Sequence, residues 1–258
     1  MNRRAAHAAF LALMTHFEVR LRRNVIIDKN RFIRACAARF ELIATPNFFD
    51  LAGKHTMAIQ GTLTAAYKKI VPAFGRHAMG QVDAAAGRKS RLRYERKGDD
   101  EEFWLDLAQE WVNREGLKRA HLIADTTQSD VLAAVNNGLD QGLGVREIAR
   151  NIRRVTGLSG SRADLIARTE VHAAANYGSI ETVRNAEKEL DMKMLKEWGP
   201  TLDSRTRESH AAMAGSPAIP LDQPFLVGGQ AMDRPGDPAG GAENVVNCRC
   251  VCLFSEAP

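Results

Sequence analysis

Apolar residues near the start of the chain recur at the step of a helix. Phe10, Leu13 or Met14, Phe17 and Leu21 follow one another every three to four positions, and Phe32, Cys36 and Phe40 repeat the spacing. Such a period lines one face of an amphipathic helix, so two helices are expected within residues 1–40, with the arginines outside the apolar stripe. From Phe103 the pattern returns: Phe103 or Trp104, Leu107 and Trp111 share one face. Thr127 with Asp130 has the spacing of a capping box, and Val131, Leu132, Val135 and Leu139 supply the stripe of the helix that box would open. Gly142 is expected to stop it. Val145, Ile148, Ile152 and Val155 then predict a short helix ended by Gly157, and Ser161 with Asp164 opens a long run towards Leu190 that no proline breaks.

After that run the period changes from helical to alternating. Met192, Met194 and Glu197-Trp198 read as a strand that stops at Gly199-Pro200, and Val251 and Leu253 alternate with Cys250 and Cys252 in a second strand. Between the strands the chain is rich in breakers: residues 199–258 hold seven of the nine prolines and seven of the twenty glycines. Long helices are excluded there, and strand, ordered loop and returning strand is the expected order. The fold class is α+β: a mainly α-helical N-terminal region, then a C-terminal module in which a long helix packs on a small antiparallel sheet.

Charge adds a boundary. The chain of 258 residues carries 36 Lys plus Arg against 31 Asp plus Glu, a net charge of +5, yet residues 1–40 alone hold nine basic residues against Glu18 and Asp28. A second basic tract, residues 76–98, contains Arg76, Arg88, Lys89, Arg91, Arg93, Arg96 and Lys97 and runs into Asp99, Asp100, Glu101 and Glu102. Blocks of like charge are solvated linkers or arms more often than folded faces, so a division near residues 80–100 is expected: 1–100 as a helical basic region with linker, 101–258 as the second module. No apolar run approaches the roughly 18 to 20 residues of a membrane span, so a soluble protein is expected. Met1-Asn2-Arg3-Arg4 and the following Ala5 to Met14 have the outline of a secretion signal, but His7 interrupts it and no small-residue cleavage site follows. Synthesis in a reducing cytoplasm is expected, since four cysteines cannot frame a disulfide scaffold for this length.

Candidate chemistry concentrates in the C-terminal half. Asp203-Ser204-Arg205-Thr206-Arg207-Glu208-Ser209-His210 reads as a capped turn in which Asp203 accepts backbone amides and Arg205, Arg207 and His210 project. In Asn247-Cys248-Arg249-Cys250 a flat strand would hold the two thiols about 6.5 to 7 Å apart, too far for chelation, whereas a turn at 247–249 would bring them together. With His210 they would supply two sulfurs and a nitrogen, and Cys252 or Asp203 a fourth ligand, a set that suits Zn²⁺. The competing reading is buried thiols on the inner face of a terminal strand. Arg168-Thr169-Glu170-Val171-His172 lies in the long helix. If that face turns inward, Arg168 and Glu170 are expected to meet Asp203, Arg205 or His210 in a polar brace, because buried charge is rarely tolerated unpaired. If it turns outward, the two are solvated on different sides. Met232 to Asn244 is turn chemistry that shapes a surface. Gly-x-Ser-x-Gly, a phosphate-cradling loop and His-Glu-x-x-His are all absent from the sequence.

Taken in order, Ala124-Asp125-Thr126-Thr127, Gly142-Leu143-Gly144-Val145, Ile166 to Glu170 with Ala174 and Asn176, Trp198, Asp203 to His210, Pro235-Gly236-Asp237-Pro238 and Asn247-Cys248-Arg249-Cys250 resemble the Mu F-like head morphogenesis family of tailed bacteriophages. The resemblance covers roughly the C-terminal half. It implies a non-enzymatic minor head (capsid) protein of the virion interior, acting in procapsid assembly. The implied partners are the portal protein, the major capsid or scaffolding protein, and packaged double-stranded DNA, without a membrane. The family's domain is sometimes fused to toxin modules; with only eight residues after Cys250, none is expected here. Many relatives carry a His-Pro pair ahead of Asn-Cys-Arg-Cys where this chain has Val245-Val246; if that His binds metal, either Cys252 substitutes for it or this chain holds no metal. Two other readings compete: a metal-dependent hydrolase or nuclease built on Glu170, His172, Asp203 and His210, and a non-specific DNA-binding protein using the basic helices.

Overall fold

The computed structural model describes residues 3–86, 97–155 and 160–258. In chain order these form α1 (Arg3–Ile43), α2 (Phe49–Ala86), α3 (Lys97–Trp111), a π-helical turn (Val112–Gly116), α4 (Leu117–Asp140), α5 (Val145–Arg154) and α6 (Gly160–Glu189). Then come β1 (Met194–Gly199), α7 (Glu208–Ala211), β2 (Ile219–Pro220), β3 (Phe225–Val227), β4 (Gln230–Met232), a 3₁₀ turn (Pro238–Gly240), α8 (Gly241–Val245) and β5 (Val251–Glu256). The class is α+β, as the change of period predicts. Among the described residues no helix is long and apolar enough to cross a membrane.

Two sequence expectations fail, for local reasons. Residues 3–43 form one helix and not two, because neither Pro nor Gly interrupts them, so Arg20, Arg22 and Arg23 continue the spiral between the apolar stripes. Thr127 opens no helix: it lies inside α4, buried, with its hydroxyl donating to the Ile123 carbonyl at 3.2 Å. A hydroxyl that bonds four residues back satisfies itself within a helix and gives no cap. Gly142 does stop α4, in the left-handed region at φ +65°. Gly157 and most of the basic tract at 87–96 lie outside the described residues; the tract's first part, through Arg76 and Gly80, is helical in α2.

The chain divides into two compact units drawn from separated stretches. One comprises Met1–Glu18, Ala66–Trp111 and Arg168–Pro258, the other Val19–Ala65 and Val112–Ala167. In the second unit Phe32, Ile33, Cys36, Ala37 and Phe40 of α1 pack with Phe48, with Val131 and Val135 of α4, and with Ile148 and Ile152 of α5. Most of the apolar positions read from the sequence in this region therefore meet in one core, while Leu139 and Val145 stay exposed.

In the first unit β1 is the centre of a three-stranded antiparallel sheet, paired with β5 on one side and the two-residue β2 on the other. Trp198 stands opposite Cys252 in that register, and β3 and β4 form a separate hairpin. Residues 169–180 of α6 are wholly buried between this sheet and α2 with α3. Two small residues set the helix spacing. A Cβ on Gly178 would lie 2.7 Å from the Val71 carbonyl oxygen, and one on Gly75 would lie 2.5 Å from the Trp104 indole nitrogen, so both glycines permit a close approach. Trp104 uses that nitrogen to donate to Thr182 Oγ1 at 3.0 Å, and Trp111 stacks on Tyr177.

Candidate functional site

The C-terminal turn gathers the cysteine pair. Asn247 adopts φ +60°, a left-handed conformation that Asn tolerates better than most residues, and the Cys248 N–H reaches back to the Val245 carbonyl. The reversal brings Cys248 and Cys250 round the same point: the Cys250 N–H donates to Cys248 Sγ at 3.4 Å. His210, from the short α7, completes the group, its Nδ1 standing 3.6 Å from Cys248 Sγ and 3.3 Å from Cys250 Sγ. The three ligand atoms lie within 4.8 Å of one another, and all three residues are buried. Trp198 closes the group from β1, its ring edge-on to His210.

Cys252, the fourth ligand expected from sequence, is outside this set. It sits one strand step further along β5, roughly 6.5 to 7 Å on by strand geometry, and its N–H donates to Asn176 Oδ1 at 3.0 Å. Burial pushes its thiol up to about 12. Asp203, the other expected fourth ligand, is also elsewhere: it holds both guanidinium nitrogens of Arg249 at 2.6 Å and accepts the Arg205 N–H at 2.9 Å in the expected turn. Hydrogen bonds from Arg249 and from the Arg205 backbone hold its carboxyl well below the usual carboxylate range.

The five residues of the expected brace fall into separate contacts. Asp203 and Arg205 pair with each other at 3.2 Å on the surface, and His210 faces the thiols. Arg168 reaches the C-terminal turn, donating to Asn247 Oδ1 at 2.6 Å, and lies 3.8 Å from Glu18. Glu170 turns inward but away from the loop, accepting from the Tyr67 hydroxyl at 2.6 Å. Residues two apart on a helix point in different directions, which is why one side chain reaches the turn and the other reaches α2.

Several residues that hold this region are absent from the sequence-based site. Thr169 accepts the Asn247 N–H at 3.0 Å, and His172 donates from Nε2 to the Cys250 carbonyl at 2.6 Å. With Asn176, α6 thus offers a residue to the turn or to β5 at three helical levels. Asp233, placed by sequence in a surface loop, is the hub of a partly buried charge cluster with Arg184 at 2.6 Å, Lys196 at 2.9 Å and Arg234 at 3.3 Å. Burial raises the Asp233 carboxyl, yet hydrogen bonds and charge from Arg184 and Lys196 outweigh it and hold it below its ordinary value. Only a lysine placed in a strand at Lys196 hinted at this, because an inward-facing lysine demands an acid.

The Cys248 thiol is lowered well below its usual value, first by the hydrogen bond with Cys250 and then, against burial, by His172 and His210. Cys250 is raised, by that same bond to Cys248 and by burial. Two thiols and the His210 imidazole thus converge here, with His172 held against the Cys250 carbonyl. The group can hold a soft cation or a proton, and it borders a small recess lined by Thr201, Arg205, Thr206, Arg207 and Asn247 together with His210, Cys248 and Cys250.

An α+β module whose long buried helix grips a short sheet and a Cys-x-Cys turn defines a class, and the comparisons supply it. Residues 129–253 match the family described as Phage Mu protein F like protein. The chain is 31% identical over 127 residues to minor head protein GP7 of Bacillus phage SPP1, covering 49% of this chain and 40% of that protein. It is 33% identical over 138 residues to NAD(+)–arginine ADP-ribosyltransferase EFV of Enterococcus faecalis, covering 53% of this chain and 27% of that enzyme. The chain therefore spans less than half the length of either relative. No solved structure matches it.

Proposed function

We propose that this protein is a minor head protein of a tailed bacteriophage, carried inside the virion after synthesis in the host cytoplasm, and that it acts in procapsid assembly beside the portal. The observation that carries this reading is the ordered match over residues 129–253 together with the likeness to a minor head protein. The polar residues of that segment support a scaffold more than a reaction centre. Glu170 is committed to Tyr67, His172 to the Cys250 carbonyl and Asp203 to Arg249, so the four side chains a metal hydrolase would need do not converge on an open pocket.

The segment from 1 to 100 is proposed as the docking arm and 101–258 as the head morphogenesis module. Arg20, Arg23 and Arg34 are exposed along α1, and such charge suits an acidic face of a portal, capsid or scaffolding protein, or the phosphates of packaged DNA. Co-expression with the portal protein of the same phage tests the reading. Co-purification with the portal ring at a salt concentration that strips DNA is the expected result. A chain that ignores the portal and cuts plasmid with Mg²⁺, or transfers ADP-ribose from NAD⁺, overturns it. Binding to DNA alone, with affinity falling steeply in salt, would point to the nucleic-acid reading instead.

A further inference from the structure

The His210, Cys248 and Cys250 cluster has the dimensions of a metal shell. Zn–S bonds of about 2.3 Å and Zn–N bonds of about 2.0 to 2.1 Å at a tetrahedral angle put sulfur and nitrogen roughly 3.6 Å apart. Here the two separations are 3.6 and 3.3 Å, and both converge on one nitrogen. A single imidazole lone pair accepts one S–H well, not two. His210 is also oriented: its Nε2 stands 3.3 Å from Asn244 Oδ1, which can only accept, so the proton sits on Nε2 and Nδ1 is bare towards the sulfurs. Asn244 is fixed in turn by donating to the Val227 carbonyl at 3.5 Å.

A second imidazole repeats the device. His172 donates Nε2–H to the Cys250 carbonyl at 2.6 Å, which leaves its Nδ1 bare as well. That Nδ1 is buried in a fully buried residue and has no hydrogen-bond partner, while the imidazole lies beside the Cys248 thiol. Leaving such an atom unsatisfied costs about 1 to 3 kcal/mol, so a native protein keeps it only for a reason. The Trp198 indole N–H is similarly buried without a partner, next to Cys250, where a thiolate would accept it. Cys250 N–H already donates to Cys248 Sγ.

We propose that His172, His210, Cys248 and Cys250 form a closed, structural site for a zinc-class divalent cation, in which the second imidazole takes the place that sequence gave to Cys252. Two thiolates, two neutral imidazoles and one divalent cation carry no net charge, which is what a fully buried site requires. Binding expels the two thiol protons and brings the His172 ring, which is not among the three converged side chains, onto the cation. The ion then clamps α6, α7 and the turn before β5 at one point. Arg249, between the two cysteines in sequence, is held outward by Asp203 and leaves the interior to the ligands.

The test uses the full chain, purified without chelator from zinc-supplemented medium. Elemental analysis is expected to find about one zinc per chain, and X-ray absorption at the zinc edge two sulfur and two nitrogen neighbours. Cys252→Ala is expected to keep the full metal content, whereas His172→Gln and His210→Gln each weaken zinc retention against a chelator by tenfold or more. Because a ligand variant can simply misfold, the absorption spectrum of the unaltered chain decides the ligand set. Three sulfurs, or loss of metal in Cys252→Ala, overturns the assignment of His172. A chain that takes up neither Zn²⁺ nor Co²⁺, or whose Cys248 and Cys250 are joined as a disulfide, overturns the site.

Discussion

Tyr67 on α2 and Glu170 on α6, 103 positions apart in sequence, meet in a 2.6 Å hydrogen bond inside the first unit. Both are buried, and Tyr67 also packs edge-on to Trp111. The carboxylate accepts and the phenol donates, which anchors the inward face of the long helix. Tyr67→Phe keeps the ring and deletes the donor. A loss of about 1.5 to 3 kcal/mol is expected, the range for a hydrogen bond to a charged group, read as a lower urea midpoint at unchanged slope. An unchanged midpoint would show that the bond contributes nothing net.

Asp233 holds a lysine whose side chain is wholly buried, Lys196, together with Arg184. Replacing it by Asn removes the charge that neutralises that cation and leaves its Nζ the bond to the backbone carbonyl at 233, and about 3 kcal/mol of destabilisation is expected. Its pH signature follows from the lowered carboxyl. A depressed folded-state value means the stabilisation is complete above the unfolded value near 4 and is lost as pH falls through the folded one. Acid titration of the urea midpoint should therefore be shallower below about pH 4 in Asp233→Asn than in the unaltered chain.

His55 in the second unit stacks on Phe32 at 4.5 Å and has no partner for either ring nitrogen. Burial drives it down to about 4, with Asp28 opposing and Lys29 reinforcing the shift. The folded chain then binds fewer protons than the unfolded one between pH 4 and 6.5, so stability falls as pH drops through that window. A loss on the order of 3 kcal/mol is expected across it, and His55→Phe should flatten the profile of thermal midpoint against pH.

Gly178→Ala would place a methyl group 2.7 Å from the Val71 carbonyl oxygen, a backbone atom that cannot rotate away. Overpacking of this kind costs about 1 to 3 kcal/mol or more. Gly80→Ala, at a helical glycine with open space around it, is the control and should be neutral or stabilising. Equal thermal midpoints for the two variants would refute the close approach.

Legibility in the sequence followed the range of the interaction that decides each feature. The stripes at Phe32, Cys36 and Phe40 and at Val131 and Val135, the stop at Gly142 and the two principal strands are set by neighbours within a few residues, and they stand where the pattern puts them. The sequence leaves the convergence of His210 with Cys248 and Cys250 open against thiols on a flat strand, and the left-handed Asn247 decides for the convergence. Thr127 was misread because a hydroxyl bonding forward and one bonding four residues back have the same sequence signature.

What the sequence determined by itself was the period of each segment, its breakers and the kinds of atoms available: an α+β chain with a Cys-x-Cys pair and a long helix that no proline breaks. Only tertiary structure decided which charges and ligands meet. Glu170 could have faced solvent, the C-terminal loop or α2, and the choice of Tyr67 rests on how α6 is rotated against a helix a hundred residues earlier. Asp233 reads as a surface turn until Lys196 and Arg184 are folded over it. His172 becomes a candidate ligand only when the Cys250 carbonyl takes its other nitrogen. Such pairings depend on distances between segments far apart along the chain, and those distances are fixed by packing, which no local pattern records.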